Sequence, residues 1–346
     1  DELMNFSDVS YKSFVKSESE IITLFYDKFA DIPLLSRMDA VAETFIDEIE
    51  TLLNRDLPEE ERIPLIEKFR KMYETMDFYV LYNRFLKKEG YQTLPRRPLE
   101  KRKLRYEDVY PVLYLKYRLS QQAERSNIKH LVIDEMQDYS RLQYLIIRRM
   151  FSCKMTILGD RAQTMADQQQ DVLQFLPGIF GKDLRRIEMR KSYRNTVEIA
   201  SYAANLIGVT DLELFERHGM PVLERDVTDL EAALREAVDT LFPEEKTYET
   251  TAVIVPDEKT AERAYLILRE ILAEKDFDCE KRLSWLNRDS SSFKKGLTVT
   301  TFYLAKGLEF DQVFSIFPKD EKREIMMQAQ YIAATRALHE LRVYHI

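Results

Sequence analysis

The sequence predicts an α/β fold, and three features support that prediction. A short apolar run at residues 131–133 has the length and branching of a buried strand, and it ends in the carboxylate pair Asp134-Glu135. From about residue 190 onward, apolar strand-like runs alternate with helical segments, which is typical of a parallel sheet covered on both faces. Residues 1 to about 125 are helical or irregular in pattern and carry little strand signal.

In the N-terminal part, apolar residues recur at helical spacing. Residues 40–53 place Val41, Phe45, Ile49 and Leu53 four apart, which predicts an amphipathic helix. Pro58 and the glutamates after it indicate a helix start, and the pattern continues through residues 63–85. A further helix is predicted at residues 106–125.

Between these helices lies a basic linker at residues 95–105. It carries six lysines and arginines against one glutamate. A solvated surface loop and a contact with phosphate or an acidic partner are both consistent with this composition.

Around the central strand, residues 139–151 are predicted to be a helix and residues 154–158 a second short strand. That strand ends in Gly159-Asp160, and Gln163 follows. A carboxylate and an amide at a strand tip suit the sensing of a terminal phosphate, although a simple strand-to-loop turn has the same composition. A third strand is predicted at residues 184–188.

In the C-terminal part, Asn195 is predicted to cap a helix over residues 196–207. Further helices are expected at 228–241, 257–273 and 324–338. Strands are expected at 251–255, 297–302, 311–316 and 341–345.

Composition limits the class of protein. The 346 residues are enough for two or three domains, and the net charge of −8 argues against a protein that coats nucleic acid, although a narrow basic groove remains compatible with it. Two lone cysteines, Cys153 and Cys279, without metal or redox spacing favour a reducing cytoplasm. We find no secretory signal and no apolar run long enough to span a bilayer.

The carboxylates after the central strand suggest phosphoryl-transfer chemistry. Open α/β sheets bind ligands at the carboxyl ends of their strands. Magnesium-dependent phosphoryl transfer needs one carboxylate at the metal and a second group to orient the attacking water. An acidic helix N-terminus, favoured by the helix dipole, is the alternative interpretation of Asp134 and Glu135.

Five segments extend this interpretation, because they occur in a fixed order that resembles superfamily 1 motors of the UvrD, Rep and PcrA type. They are IDEMQD (133–138), LGDRAQ (158–163), KSYRN (191–195), AKGLEFD (305–311) and YIAATRA (331–337). The resemblance implies two RecA-like P-loop NTPase domains, the first incomplete and carrying a helical N-terminal insertion, with ATP bound between them. The expected divisions are a helical segment at 1–105, the rest of the first domain at 106–189 and the second domain at 190–346.

The resemblance also implies roles for individual residues. Asp134 would hold Mg²⁺ with Glu135 nearby, and Glu135 would activate the hydrolytic water. Gln163 would sense the γ-phosphate, and Arg194 and Arg336 would act as arginine fingers. Further expected nucleotide contacts are Tyr193 on adenine, Glu309 near the ribose, and Asp160, Gln137, Lys306 and Gly307. Nucleic-acid contacts are expected at Thr300, Thr301 and Tyr303.

The chain departs from this family in its phosphate loop. Such motors need a Gly-rich loop ending in Gly-Lys-Ser/Thr, and the only lysine after a glycine here is Lys182, which is followed by Asp183. The sequence is therefore expected to be the C-terminal portion of a longer protein, and this polypeptide alone is predicted not to hydrolyse ATP at a useful rate.

Other departures concern nucleic acid. Ala166 and Gln168 stand where stacking aromatic residues are expected, and Tyr303 stands where the family usually has histidine. Only about 40 residues separate Val255 from Leu297, where the family inserts an accessory domain. These features and the segment at residues 104–119 resemble the HelD-type branch.

The leading prediction is thus the motor portion of an ATP-dependent DNA helicase or translocase acting with RNA polymerase. The expected ligands are ATP, Mg²⁺ and DNA, either single-stranded or in a transcription complex. A cytoplasmic monomer without membrane contact is expected. The alternatives are a conventional 3′–5′ DNA-unwinding repair helicase and an inactive motor scaffold used for protein interaction.

Overall fold

The computed structural model describes residues 3–120, 127–160, 163, 171–189, 191–209, 213–241, 248–275, 277–290, 295–319 and 324–346. The chain forms two compact units. The first comprises Asp1–Leu158 and Val172–Leu184, and the second comprises Gly159–Asp171 and Arg185–Ile346.

The first unit begins with a short antiparallel hairpin that the sequence pattern did not predict, followed by helices. These elements are β1 (Val9–Tyr11), β2 (Phe14–Lys16), α1 (Glu18–Thr23), α2 (Arg37–Leu53), α3 (Glu59–Arg70), α4 (Phe78–Lys88) and α5 (Tyr106–Leu119). The stripe of Val41, Phe45 and Ile49 on α2 is buried in an apolar core with Phe69 of α3. The predicted helix at residues 40–53 is confirmed and begins three residues earlier.

The predicted continuous helix over residues 63–85 is wrong. Helix α3 ends at Arg70, and α4 starts afresh because the Asp77 carboxylate caps it by accepting a hydrogen bond from Tyr79 N at 2.9 Å. Helix α5 ends at Leu119, Ser120 is extended, and the rest of the predicted helix, residues 121–125, lies outside the described residues.

The central strand is present where the sequence predicts it. It is β3 (His130–Ile133), followed by α6 (Arg141–Met150), β4 (Lys154–Ile157) and α7 (Val172–Phe180). Strands β3 and β4 pair in parallel, so their carboxyl ends lie at the same edge. Ile133 packs with Tyr144 of α6 and Leu176 of α7 in a separate small core.

The predicted third strand at residues 184–188 is wrong. These residues form no strand, and the Ile187 side chain is 87% exposed, so the apolar residue that suggested a strand has no sheet face against which to pack.

The second unit is built on a parallel sheet of six strands, as the alternating pattern predicts. Its elements are β5 (Lys191–Ser192), α8 (Val197–Leu206), β6 (Glu213–Leu214), β7 (Leu223–Asp226), α9 (Leu230–Thr240), β8 (Thr250–Val255), α10 (Glu258–Ala273), α11 (Cys279–Arg282), β9 (Leu283–Trp285), β10 (Gly296–Thr301), β11 (Phe310–Phe317), α12 (Glu324–Thr335) and β12 (Ala337–His345). The strand order is β7-β12-β11-β8-β10-β9, and every pairing is parallel.

Helices cover both faces of this sheet. Val253 packs on one face with α9 and α10, and its neighbour Ile254 packs on the other face with α8 and α12. Consecutive residues of β8 are therefore buried on opposite faces of the sheet. This is why apolar residues occupy successive positions along the strand. Strands β5, β6, β7 and β9 are short and were not predicted.

The predicted capping role of Asn195 is wrong. The N-cap of α8 is Thr196, whose hydroxyl accepts a hydrogen bond from Ile199 N. The Asn195 amide instead donates to the Ala337 carbonyl at 2.6 Å and to the Thr335 carbonyl at 3.3 Å. Asn195 thus ties the start of α8 to the junction between α12 and β12.

Within the described part of the chain, no helix combines the length and the apolar character needed to span a lipid bilayer.

Candidate functional site

The acidic tip of β3 is held by backbone hydrogen bonds to the end of β4. Leu158 N donates to the Ile133 carbonyl, and Met136 N donates to the Leu158 carbonyl, both at 2.8 Å. The Tyr144 hydroxyl, on α6, donates to the Met136 carbonyl at 3.1 Å. Asp134 and Glu135 therefore lie on a turn that is fixed at both ends.

Glu135 has a left-handed backbone conformation, with φ of 52° and ψ of 50°. This conformation is unfavourable for a residue with a side chain by roughly 1–2 kcal/mol, so the surrounding turn must impose it. The Glu135 carboxylate accepts a hydrogen bond from the buried Gln137 amide. Backbone strain and a fixed carboxylate are both typical of a functional position.

Asp134 is exposed, and its Oδ1 accepts a hydrogen bond from Glu135 N at 2.8 Å. Among the described residues, no three histidine, cysteine, aspartate or glutamate side chains gather as a metal site. Mg²⁺ is commonly bound by one or two carboxylates and completes its shell with phosphate oxygens and water. A single exposed carboxylate at a strand tip fits that mode of binding.

In the second unit, Arg336 is the largest fully buried side chain, with 1% of its surface exposed. It directly follows α12, and its guanidinium donates hydrogen bonds to four oxygens. The acceptors are the carbonyls of Ile332 and Leu308 at 3.3 Å, the Thr335 hydroxyl at 3.2 Å and Oε1 of Gln163 at 3.4 Å. Arg336 is therefore not an ordinary surface arginine.

Gln163 links this arginine to the predicted phosphate-sensing segment. Gln163 is buried, and its Nε2 donates to Oδ2 of Asp160 at 3.0 Å, while its Oε1 faces Arg336. Three residues that the motifs single out, Asp160, Gln163 and Arg336, are thus joined by hydrogen bonds.

Tyr331 belongs to the same group, although sequence reasoning gave it no role beyond membership of a motif. Its hydroxyl donates to Oδ2 of Asp160 at 2.9 Å. Burial, followed by the nearby Asp160 carboxylate, raises the pKa of Tyr331, so its hydroxyl stays a donor at neutral pH. Tyr331 is the first residue of the segment YIAATRA, which also contains Arg336, and that shared motif is a signal that could have identified it.

Arg194 lies elsewhere in the second unit, in contact with another predicted site residue. Its Nε is 2.7 Å from Oε1 of Glu309, and both side chains are close to half exposed. An exposed pair of this kind contributes little to stability, at most about 1 kcal/mol. The pair therefore leaves the Arg194 guanidinium available to exchange Glu309 for another anion.

Arg217 positions the backbone around Arg194, and no sequence motif pointed to it. Its Nη2 donates to the carbonyls of Arg194 and Leu338, the latter at 2.9 Å, and its own carbonyl accepts from Val197 N. Because a guanidinium presents its donors in a fixed fork, these two hydrogen bonds hold the backbone at Arg194 close to the backbone at Leu338.

Tyr193 is 60% exposed. The Phe215 ring lies 5.7 Å away and Lys191 Nζ lies 5.5 Å from the Tyr193 ring centroid. The parallel β5–β6 pair brings these residues together. Phe215 was missed in the sequence because β6 is only two residues long.

The remaining predicted residues lie in β10 or between β10 and β11. Lys306 and the exposed Gly307 lie on the turn into β11; Gly307 has φ of +82° and open space around it, so its conformation rather than its size explains the glycine. Thr300 and Thr301 are fully buried in β10, so their side chains are covered by the chain itself. Tyr303 is partly buried, with the Arg288 guanidinium 5.9 Å from its ring.

Apart from the residues in and after β10, the predicted residues fall into three local groups. Asp134, Glu135 and Gln137 lie together in the first unit. In the second unit, Asp160, Gln163 and Arg336 form one group, and Tyr193, Arg194 and Glu309 form another. Ala166 and Gln168, the substitutes for stacking aromatic residues, lie outside the described residues.

Several solved helicase structures share local similarity with the chain. The C-terminal domain of a possible DNA helicase from Lactobacillus plantarum WCFS1 is 24% identical, with a TM-score of 0.35 over 45% of this chain and 88% of that one. PRRSV helicase is 17% identical, with a TM-score of 0.35 over 63% and 35%. The arterivirus nonstructural protein 10 helicase in complex with DNA is 15% identical, with a TM-score of 0.34 over 65% and 40%.

The chain thus spans only about a third to two fifths of the two viral helicases. No match was found among curated proteins. Residues 6–165, just under half of the chain, match the sequence model of a family described as the UvrD/REP helicase N-terminal domain. The matched segment contains the acidic tip of β3 together with Asp160 and Gln163, and it supports a UvrD-like helicase of superfamily 1.

Proposed function

We propose that the chain is the motor portion of an ATP-dependent, UvrD-like DNA helicase or translocase. The family match over residues 6–165 supports the helicase class. The observation that carries the proposal is the hydrogen bond between Arg336 and Gln163, because these are two residues to which the motifs assign the same γ-phosphate. They are 173 positions apart in sequence, and local chain geometry alone does not require their contact.

The acidic tip would carry the metal and the water. Mg²⁺ held by the exposed Asp134 would neutralise charge on the phosphates. Glu135, fixed by Gln137, would accept a hydrogen bond from the attacking water and orient it. The left-handed backbone of Glu135 sets the direction in which its side chain leaves the turn after Asp134.

The arginines would stabilise the transition state. A guanidinium near the transferred phosphoryl group is worth about 10³–10⁵ in rate, because negative charge develops there during the reaction. Arg336 donates hydrogen bonds to two backbone carbonyls, the Thr335 hydroxyl and the Gln163 amide oxygen, and these contacts fix the direction of its guanidinium. Arg194 would reach the nucleotide by leaving Glu309, and Tyr193 would stack on the adenine. Lys306 and Gly307 would contact the nucleotide from the turn before β11.

The motif resemblance further implies ATP binding between two RecA-like domains, at residues 106–189 and 190–346. The chain has no Gly-Lys-Ser/Thr sequence, so we expect the isolated polypeptide not to hydrolyse ATP at a useful rate. Turnover at micromolar concentration of this polypeptide, abolished by Glu135→Gln, would contradict that expectation.

Within the UvrD-like class, we propose a HelD-type motor that acts on RNA polymerase and its nucleic acid. The short connection between β8 and β10 supports this choice, since the described residues there form only α10, α11 and β9. An accessory domain of the kind used for strand separation therefore does not fit between β8 and β10. We expect the protein to act in the cytoplasm as a monomer.

Two assays on the natural full-length protein test the proposal. ATP turnover should fall by about 10³ or more in Gln163→Ala, while nucleotide binding changes less, because the amide acts mainly on the γ-phosphate. Affinity capture with RNA polymerase should retain the protein, and a forked DNA should not be unwound. Efficient unwinding without polymerase capture would instead favour a conventional helicase.

A further inference from the structure

The loop at residues 95–105, between α4 and α5, carries a concentration of positive charge that the proposed ATP site does not use. Six of its residues are basic and one is acidic, in a chain whose net charge is −8. Two of the six are engaged within the unit. Arg102 Nη1 lies 2.6 Å from Asp77 Oδ2, and Arg105 Nε lies 2.6 Å from Oδ2 of the buried Asp108.

Both ends of this basic loop are fixed to the helices. Leu94 and Leu104 pack into one apolar cluster with Tyr79 and Tyr82 of α4. The Tyr79 hydroxyl also donates to the Pro95 carbonyl at 2.7 Å, and the Arg102 guanidinium lies 4.8 Å from the centroid of the Tyr79 ring. The loop is therefore preorganised, and binding through it would cost little conformational entropy.

The other four basic side chains point to solvent. Arg96, Arg97, Lys101 and Lys103 are exposed, and within the described part of the chain none of them forms an ion pair with a carboxylate. Two arginines and two lysines within eight positions thus present uncompensated charge on a fixed loop, whereas Arg102 and Arg105 serve to hold it.

An exposed aromatic residue follows immediately. Tyr106, the first residue of α5, is 79% exposed, and its ring meets Tyr110 edge-on at 6.2 Å. A tyrosine ring left in water beside a cationic strip is the combination that binds single-stranded nucleic acid, with cations on the phosphates and the ring against a base. An acidic protein would use the charges but has no need of the ring.

We propose that Arg96, Arg97, Lys101, Lys103 and Tyr106 form a binding surface for single-stranded nucleic acid. The assignment of nucleic acid as the partner rests on the proposed helicase class. The surface itself is separate from the residues proposed to bind ATP, and binding to it needs no nucleotide. A failure of ATP hydrolysis would therefore leave it standing.

The test measures the binding of fluorescein-labelled dT20 to this chain by fluorescence anisotropy at about 50 to 300 mM NaCl. Over this range the affinity that comes from phosphate contacts falls strongly as the salt concentration rises. The variant Arg96→Ala/Arg97→Ala/Lys101→Ala/Lys103→Ala should bind at least ~10-fold more weakly at the lowest salt. Its slope of log K against log salt should fall by about 3, since each phosphate contact on a single strand contributes roughly 0.7.

A matched control removes the same charges elsewhere. Lys71, Lys182, Arg185 and Arg263 are also exposed, and the variant with all four changed to alanine has the same net charge as the loop variant. It should keep the wild-type salt slope. Equal losses in the loop and control variants would overturn the proposal, since binding would then reflect overall charge.

Tyr106 separates single-stranded nucleic acid from other partners. Tyr106→Ala should weaken dT20 binding at least ~5-fold, and Tyr106→Phe should not, because stacking needs the ring and not the hydroxyl. Unchanged affinity in Tyr106→Ala, or equally tight binding of a 20-base-pair duplex, would overturn the single-strand assignment. Binding of labelled poly-glutamate without binding of dT20 would show a protein partner instead.

Discussion

Nη2 of Arg336 donates a hydrogen bond to Oε1 of Gln163 at 3.4 Å, and both side chains are buried. The amide of Gln163 in turn donates to Asp160, which also accepts a hydrogen bond from Tyr331. A chain of polar contacts thus connects the end of α12 to the segment after β4. In the proposed motor, this chain would set the distance between the guanidinium and the amide that meet the γ-phosphate.

The first prediction concerns Arg336. In the natural full-length protein, Arg336→Ala should lower the rate of ATP hydrolysis by about 10³, because the transition state loses a positive charge next to the transferred phosphoryl group. Arg225 of β7 pairs with Glu236 on the surface, so Arg225→Ala serves as the control and should leave the rate unchanged. Equal rates in wild type and Arg336→Ala would remove Arg336 from the catalytic machinery.

The second prediction concerns Tyr331. Tyr331→Phe removes the donor to Asp160, and we expect it to lower the free energy of unfolding of this chain by about 1 kcal/mol. Urea unfolding at neutral pH measures the loss. Tyr265 stacks on Trp285 and has no side-chain hydrogen bond within the described residues, so Tyr265→Phe should change stability less. A Tyr331→Phe variant as stable as wild type would show that the contact is weak.

The same tyrosine predicts a dependence on alkaline pH. Its pKa is raised above the ordinary value of 10.0, so the unfolded chain loses this proton first as pH rises. The stabilisation is therefore complete below about pH 10 and is lost as pH rises through the folded-state pKa. The stability difference between wild type and Tyr331→Phe should shrink above pH 10, and a difference that grows there would contradict this assignment.

The third prediction concerns Glu198 on α8. Hydrogen bonds from His218 and from Gly219 N lower its pKa to about 2 from an ordinary 4.5. The stabilisation from this group is present above pH 4.5 and is lost as pH falls toward 2. Glu198→Gln should therefore lose less stability than wild type over that interval, measured by urea unfolding at several pH values. Parallel pH profiles would show that the His218 contact does not persist in solution.

The fourth prediction concerns Asn195. Asn195→Asp would set a carboxylate against the Thr335 and Ala337 carbonyls in a buried position, and it should destabilise the chain by more than ~2 kcal/mol. Asn205, on α8, is exposed, so Asn205→Asp is the matched control and should have little effect. Similar thermal unfolding of both variants would contradict the bridging role.

Long apolar runs and motif strings made much of the fold predictable. Strand β8 was recognisable because it is buried on both faces, and α2 because its apolar residues recur on one side. The short strands β5, β6, β7 and β9 were not predictable, since two to four residues carry no period and each gains its partner only from the folded sheet. The same applies to Asn195, whose partners lie 140 and 142 residues away.

The candidate site was predictable only where its residues belong to short sequence motifs. Asp134, Glu135 and Gln163 stand in recognisable motifs. The roles of Arg217 and Phe215 depend instead on tertiary contacts that no sequence motif indicates. Thr300 and Thr301 were expected to face nucleic acid, and their burial shows why a position at the end of a strand does not by itself predict accessibility. The division of the chain at residues 105 and 189 stays a prediction.

The most direct test of the proposed motor is the rate of γ-phosphate release from ATP by the natural full-length protein, with single-stranded DNA present, compared between wild type and Glu135→Gln. We expect the substitution to reduce the rate by about 10³ or more while the protein still binds ATP, because the amide cannot activate the attacking water. Phosphate release by Glu135→Gln at the wild-type rate would contradict it.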